Sequence, residues 1–193
     1  MEKKAVCAGY AKAFQLLLNA LGIECTYVTS DTHAWNLVRL EGDYYHIDAT
    51  WDDSSNTKAE KNMSSRVSYH FFCITTDELL RVKAHQPEDV LNLPVCTATK
   101  CNYHHRYGLC FETFDIDRIR DVVCESIARG LTAFTFKFTS PEAYAEAYRT
   151  LATNSQFMDV LRVANLRLDK QVKLRYQCIS REDLRVMDFI LTD

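Results

Sequence analysis

Three side chains near the start of the chain have the makings of an activated sulfur nucleophile. Cys7 stands in Val6-Cys7-Ala8-Gly9-Tyr10-Ala11, at the opening of a helical pattern. His33 opens an apolar run, His33-Ala34-Trp35-Asn36-Leu37-Val38. Asp48 follows in Tyr44-Tyr45-His46-Ile47-Asp48-Ala49-Thr50-Trp51-Asp52-Asp53. A thiol becomes a strong nucleophile when an imidazole takes its proton and a carboxylate orients that imidazole. One cysteine among eight is by itself ordinary core material; the imidazole and carboxylate that follow it make it a candidate.

The elements that must bring these groups together are a helix and a hairpin. Tyr10, Phe14, Leu17, Leu18 and Leu21 recur at helical spacing, and Gly22 suits the position just past the helix end. Seven residues is close to two turns, so Cys7 projects within ~20° of Phe14 on the core-facing side. At the helix N-terminus, unpaired N–H groups and the positive dipole end favour a thiolate and can hold a developing oxyanion. Strands are expected over residues 23–30, 33–40 and 44–50, the last two joined by a turn at Gly42-Asp43. Pairing Glu41 with Tyr44 sets Asp48 opposite Leu37, on the His33 face but ~13 Å along the ladder from it. On that register Asp52 lies opposite His33, so the count alone leaves Asp52 in competition. His46 shares the Asp48 face and competes as base. Trp35 shares the His33 face and can shield the imidazole or bind substrate, although an ordinary core Trp is as good a reading. Tyr10 is a weak substrate contact beside its plainer role packing within the helix. Asn36 and Trp51 are read as structural.

The blocks Val-Cys-Ala-Gly-Tyr-Ala-Lys-Ala-Phe, His-Ala-Trp-Asn-Leu-Val and Tyr-Tyr-His-Ile-Asp-Ala-Thr-Trp-Asp-Asp closely resemble the bacterial transglutaminase-like superfamily, in its order. The resemblance covers about residues 5–53 and implies a papain-like α+β core, a helix packed on an antiparallel sheet. It implies Cys7 as nucleophile, His33 as base and Asp48, in preference to Asp52, as the orienting acid. The implied reaction is acyl transfer or hydrolysis on protein or peptide amides. Family members carry helices and a second oxyanion donor upstream of the cysteine. The reading therefore expects a larger protein, a homo-oligomer or another chain that completes the site. The remaining alternative is a binding or structural module that no longer catalyses.

The rest of the chain narrows the field. Its 193 residues suffice for one large domain or two small ones, with 47% apolar and 25% charged residues as in globular proteins. A net charge of −3 gives no basic footprint for nucleic acid. No apolar run approaches a membrane span, and no signal-peptide pattern precedes Cys7, so a cytoplasmic location is the default expectation. The cysteines are scattered and read as reduced, buried thiols. Cys96, Cys101, His104, His105 and Cys110 match no standard zinc finger, so neither metal nor cofactor is expected. Two regions are expected: a catalytic core over 1–110, and a small α-β-α-α-β-β layer over 111–193. In the second, Asp115 and Ser140-Pro141 start helices, and residues 131–138, 172–179 and 184–191 form strands.

Overall fold

The computed structural model describes residues 6–53, 67–86, 92–169 and 171–192. The fold is α+β, in two compact units that divide between Arg106 and Tyr107. Most of the polar stretch after Asp52, expected as a loop beside the site, lies outside the described residues.

The first unit opens with α1 (Cys7–Ala20). Its C-terminus is closed by the paired hydrogen bonds of a Schellman cap. The Ile23 N–H donates to the Leu18 carbonyl at 2.9 Å and the Gly22 N–H to the Asn19 carbonyl at 3.0 Å. Gly22 takes φ +75°, which a side chain would resist. The buried stripe differs from the expected one. Ala11 is buried, Phe14 and Leu18 pack on the core, and Leu17 and Leu21 are 63% and 75% exposed. The inward series is therefore Cys7, Ala11, Phe14 and Leu18, which keeps the thiol on the face turned to the sheet.

That sheet is antiparallel, in the order β1 (Cys25–Thr29), β2 (Ala34–Leu40), β3 (Asp43–Ile47) and β4 (Phe72–Ile74). The turn between β2 and β3 is Glu41-Gly42 rather than Gly42-Asp43, with both φ angles positive, 53° and 93°. Two positive φ angles match the strand twist, so the hairpin closes one residue earlier than expected. Leu40 then pairs with Asp43 and Asn36 with Ile47. Continued by one step, this register sets Asp48 opposite Trp35, two positions from His33 instead of four. The third strand is also shorter than residues 44–50. It ends at Ile47, and Asp48 becomes the N-cap of α2 (Ala49–Asp52).

Beyond β4, Thr75 and Glu78 form a reciprocal capping box at the start of α3 (Thr76–Leu80). A 3₁₀ turn, Lys83–His85, follows. Leu79, Val82 and His85 are buried at three-residue spacing. The unit closes with α4 (Tyr103–Arg106).

The second unit has its own core, with Phe111, Phe134, Phe136, Phe157, Met187 and Phe189 among its buried side chains. β5 (Cys110–Phe111) straddles the 110/111 boundary and pairs in parallel with β6 (Ala133–Phe138). Next in the sheet stand β8 (Val186–Leu191) and β7 (Tyr176–Arg181), both joined antiparallel. Asp115 caps α5 (Ile116–Ala128), accepting from the Asp117 and Arg118 N–H groups. Ser140 caps α6 (Pro141–Ala147), and α7 (Phe157–Leu168) packs against α5. The Phe157 and Phe189 rings stack at 3.9 Å between centroids.

Candidate active site

His33 and Asp48 meet. The His33 Nε2 lies 2.6 Å from Asp48 Oδ2, inside the buried end of the sheet. The earlier hairpin turn makes this contact available, because diagonal neighbours two positions apart lie within side-chain reach. Both groups are held from behind. The His33 N–H donates to the Ser30 hydroxyl at 3.1 Å. Asp48 Oδ1 accepts from the Thr50 and Trp51 N–H groups at 2.9 and 3.1 Å, as a helix cap does.

A third group belongs to the cluster. His85 is fully buried and its Nε2 lies 2.7 Å from the same oxygen, Asp48 Oδ2. Burial alone would raise the Asp48 carboxyl. Hydrogen bonds from His33 and then His85 outweigh it and hold the group below its ordinary value. An ionised carboxylate only accepts, so both imidazoles present Nε2–H to it. A neutral His33 then carries its lone pair on Nδ1. Around these groups Trp51 and Phe71 stand edge-on and stacked against His85, at 4.8 and 5.1 Å between centroids. Trp35 is buried, with its ring roughly parallel to His33 at 6.3 Å and edge-on to His85 at 5.1 Å. It thus forms a wall behind both imidazoles.

Cys7 stands at the same end of the sheet. The Asn36 side-chain amide donates to the Ala11 carbonyl at 2.9 Å, and Gln15 further along donates to the Cys25 carbonyl at 3.1 Å. Cys25 pairs with Val38, so α1 runs the same way as β2. Cys7, one turn before Ala11, consequently lies towards the His33 end, ~6 Å back along the helix. In the same first turn, the Tyr10 hydroxyl donates to Asp53 Oδ2, just past the helix that Asp48 caps. Tyr10 thereby ties α1 to the end of α2 rather than merely packing within its helix. Cys7 is a half-buried free thiol.

The rival residues are engaged elsewhere. Asp52 Oδ1 accepts from the Ser68 hydroxyl at 2.9 Å and the Phe71 N–H at 3.0 Å, pinning the chain that leads into β4. Burial pushes its carboxyl up to about 7. His46 Nδ1 accepts from the Trp35 indole at 3.2 Å, and its Nε2 lies 3.2 Å from the Thr76 hydroxyl. Burial, followed by repulsion from His85, pushes it down to about 4, so it is neutral near pH 7.

His85 was not legible as a partner of Asp48, from which it is separated by 37 residues. It sits before Gln86-Pro87, which reads as loop. The available signal was its place in the apolar row Leu79, Val82, His85, where an imidazole is out of character and needs a partner.

Among the described residues, His33, Asp48 and His85 are the group of three ligating side chains close enough to share an ion, their atoms within 4.8 Å of one another. Their nitrogen–oxygen separations of 2.6 and 2.7 Å are hydrogen-bond distances. Ligands around a tetrahedral zinc ion stand ~3.3 Å apart. Cys96 and Cys101 are buried, with the Cys96 thiol donating to the Pro94 carbonyl, while His104 lies against His70 and Tyr103.

Residues 1–49 match the model of the transglutaminase-like superfamily. The matched stretch carries the helix, the hairpin and all three residues Cys7, His33 and Asp48. The match spans about a quarter of the 193-residue chain. No curated protein matches the chain. No helix among the described residues is long and apolar enough to cross a membrane.

Proposed function

We propose that the first unit is a transglutaminase-like cysteine acyl-transfer site, with Cys7 as nucleophile, His33 as base and Asp48 as orienting acid. The observation that carries this reading is the buried 2.6 Å contact between His33 Nε2 and Asp48 Oδ2, at the end of the sheet where the Cys7 helix begins. With its Nε2 proton committed to Asp48, neutral His33 has Nδ1 available to take the thiol proton. The Cys7 sulfur then attacks the carbonyl carbon of a peptide or side-chain amide, and the carbonyl π electrons move to oxygen. The Gly9 and Tyr10 N–H groups donate to the Val6 carbonyl, so the Cys7 and Ala8 N–H groups at the start of α1 are the donors offered to that oxyanion. When the oxyanion collapses, the C–N bond breaks and the amine leaves with the proton from His33, giving a thioester on Cys7. Attack by water releases an acid; attack by an amine forms a new amide.

Alkylation with iodoacetamide near neutral pH, followed by peptide mapping, tests the assignment. Cys7 is expected to react at least about tenfold faster than Cys110 and Cys178, the other half-buried thiols. His33→Ala is expected to remove that advantage. Equal labelling of the three thiols overturns the enzyme reading and leaves a binding or structural module. A hydroxylamine assay on amide substrates, read as hydroxamate formation, reports the acyl enzyme directly.

A further inference from the structure

We infer that His85 is a fourth member of this site, a positioning residue that acts through Asp48 and shares the carboxylate oxygen that orients His33. The inference rests on the proposed acyl-transfer reading, and three features of the molecule carry it.

The first is stoichiometric. Asp48 Oδ2 receives two N–H donors, at 2.6 Å from His33 and 2.7 Å from His85, while Oδ1 is occupied by the α2 backbone. The orienting acid therefore has its hydrogen-bonding capacity claimed from three directions, and neither oxygen can swing away from His33 without abandoning another donor. A packing role alone requires no donor aimed at this oxygen; a Leu or Phe fills the same space.

The second is the clasp on the other side. The Ser30 hydroxyl accepts from the His33 N–H at 3.1 Å and donates to the Ala84 carbonyl at 2.7 Å. One hydroxyl thus joins the backbone of His33 to the residue immediately before His85. The two imidazole-bearing segments are coupled twice, once through Asp48 Oδ2 and once through Ser30.

The third is the state of the remaining nitrogen. His85 Nδ1 is buried without a hydrogen-bond partner among the described residues. A buried polar atom without a partner destabilises the fold, so the His85 ring is placed for the contact its other nitrogen makes. With Nδ1 unpartnered, the hydrogen bond to Asp48 is the one polar contact the His85 ring makes among the described residues.

The consequence for the reaction concerns orientation. His33 must swing neither out of plane nor into the other tautomer when its Nδ1 takes up and returns the Cys7 proton. Asp48 enforces that only while Asp48 itself is immobile. His85 and Ser30 supply the immobility from the side opposite α2.

The test compares His85→Phe, which keeps a ring against Phe71 and Trp51 but removes the donor, with His85→Gln, which restores a neutral N–H. Three readouts are taken on the full chain: the carboxyl ¹³C titration of Asp48, the alkylation rate of Cys7, and kcat and KM for hydroxamate formation. In His85→Phe the Asp48 midpoint is expected to rise. Cys7 alkylation and kcat are expected to fall about tenfold with KM little changed, since the substrate does not touch His85. His85→Gln is expected to recover most of each loss. Should His85→Phe fail to fold, His85→Gln and Ser30→Ala against wild type keep the inference exposed, with Ser30→Ala expected to lower kcat at constant KM. The inference is overturned if a folded His85→Phe leaves the Asp48 midpoint or the Cys7 rate at wild-type values. Failure of the underlying reading looks different: in the wild-type protein Cys7 is then unreactive and indifferent to His33→Ala, while the Asp48 midpoint still responds to His85→Phe.

Discussion

Replacing Asp48 with Asn separates what its charge does from what its shape does. The side chains are isosteric, and one oxygen remains to cap α2 through the Thr50 and Trp51 N–H groups. The second oxygen becomes an NH₂ facing two Nε2–H donors, formerly at 2.6 and 2.7 Å. Donors cannot pair with donors, so both imidazoles are expected to move their proton to Nδ1 and accept at Nε2, which leaves the His85 Nδ1–H as a buried donor without a partner among the described residues. That restores the hydrogen bonds but leaves His33 with its lone pair turned away from Cys7. The loss of activity is expected to be about 10³–10⁴-fold, the scale that a wrong tautomer produces in serine-protease triads. For stability, two charge-assisted bonds, roughly 1.5–3 kcal/mol each, give way to two neutral ones of about 1 kcal/mol, the buried His85 Nδ1–H costs about 1–3 kcal/mol, and relief of a buried charge offsets part of the sum. The net expectation is a loss of about 2–5 kcal/mol in urea unfolding. Imidazole ¹⁵N shifts of His33 and His85 report the tautomers, and iodoacetamide reports Cys7. The reasoning is refuted if Asp48→Asn shows both imidazoles still protonated on Nε2, or a Cys7 rate within threefold of wild type.

Other expectations rest on different parts of the molecule. Asp52 is a carboxyl raised to about 7 by burial, so the folded state holds its proton more tightly than the unfolded chain; its contribution falls as pH rises from about 4 to 7, by at most about 4 kcal/mol. Asp52→Asn is expected to flatten that limb in urea titrations and to stabilise the first unit above pH 7. His46 has the opposite sign. Its folded value of about 4 lies below the unfolded one, so stability drops as pH falls from about 6.5 to 4, and this limb should stand out in an Asp52→Asn background and vanish on adding His46→Gln. In the second unit, Phe157→Ala removes a fully buried ring stacked on Phe189 and should cost about 3–5 kcal/mol by calorimetry. Cys7 alkylation in that variant is expected to stay at the wild-type rate, because the first unit has its own core.

Local chemistry made much of this readable. Gly22 marked the end of α1, Ser140-Pro141 the start of α6 and Asp115 the start of α5, because caps depend on a few adjacent residues. Cys7, His33 and Asp48 stood out by type and order. Their convergence did not, since the register turned on Glu41, a non-glycine residue taking φ 53°. Moving the turn by one residue halves the His33–Asp48 stagger. Alternation carries a strand pattern through Asp48, yet Asp48-Ala49-Thr50-Trp51 equally suits a helix start, and the structure takes the second. The exposure of Leu17 and Leu21 was hidden because two overlapping stripes on α1 are equally apolar, and only packing selects between them. His85 was hidden because contacts between distant segments leave no periodic trace.

Asp48 divides its labour atom by atom. One oxygen begins α2, the other receives the imidazoles. The turn that carries Trp51 therefore cannot be wound independently of the ring nitrogens that depend on the same anion. Acid strong enough to neutralise it would slacken backbone and chemistry in a single step, so this corner of the molecule should switch between a working and an unravelled state with few half-measures between them.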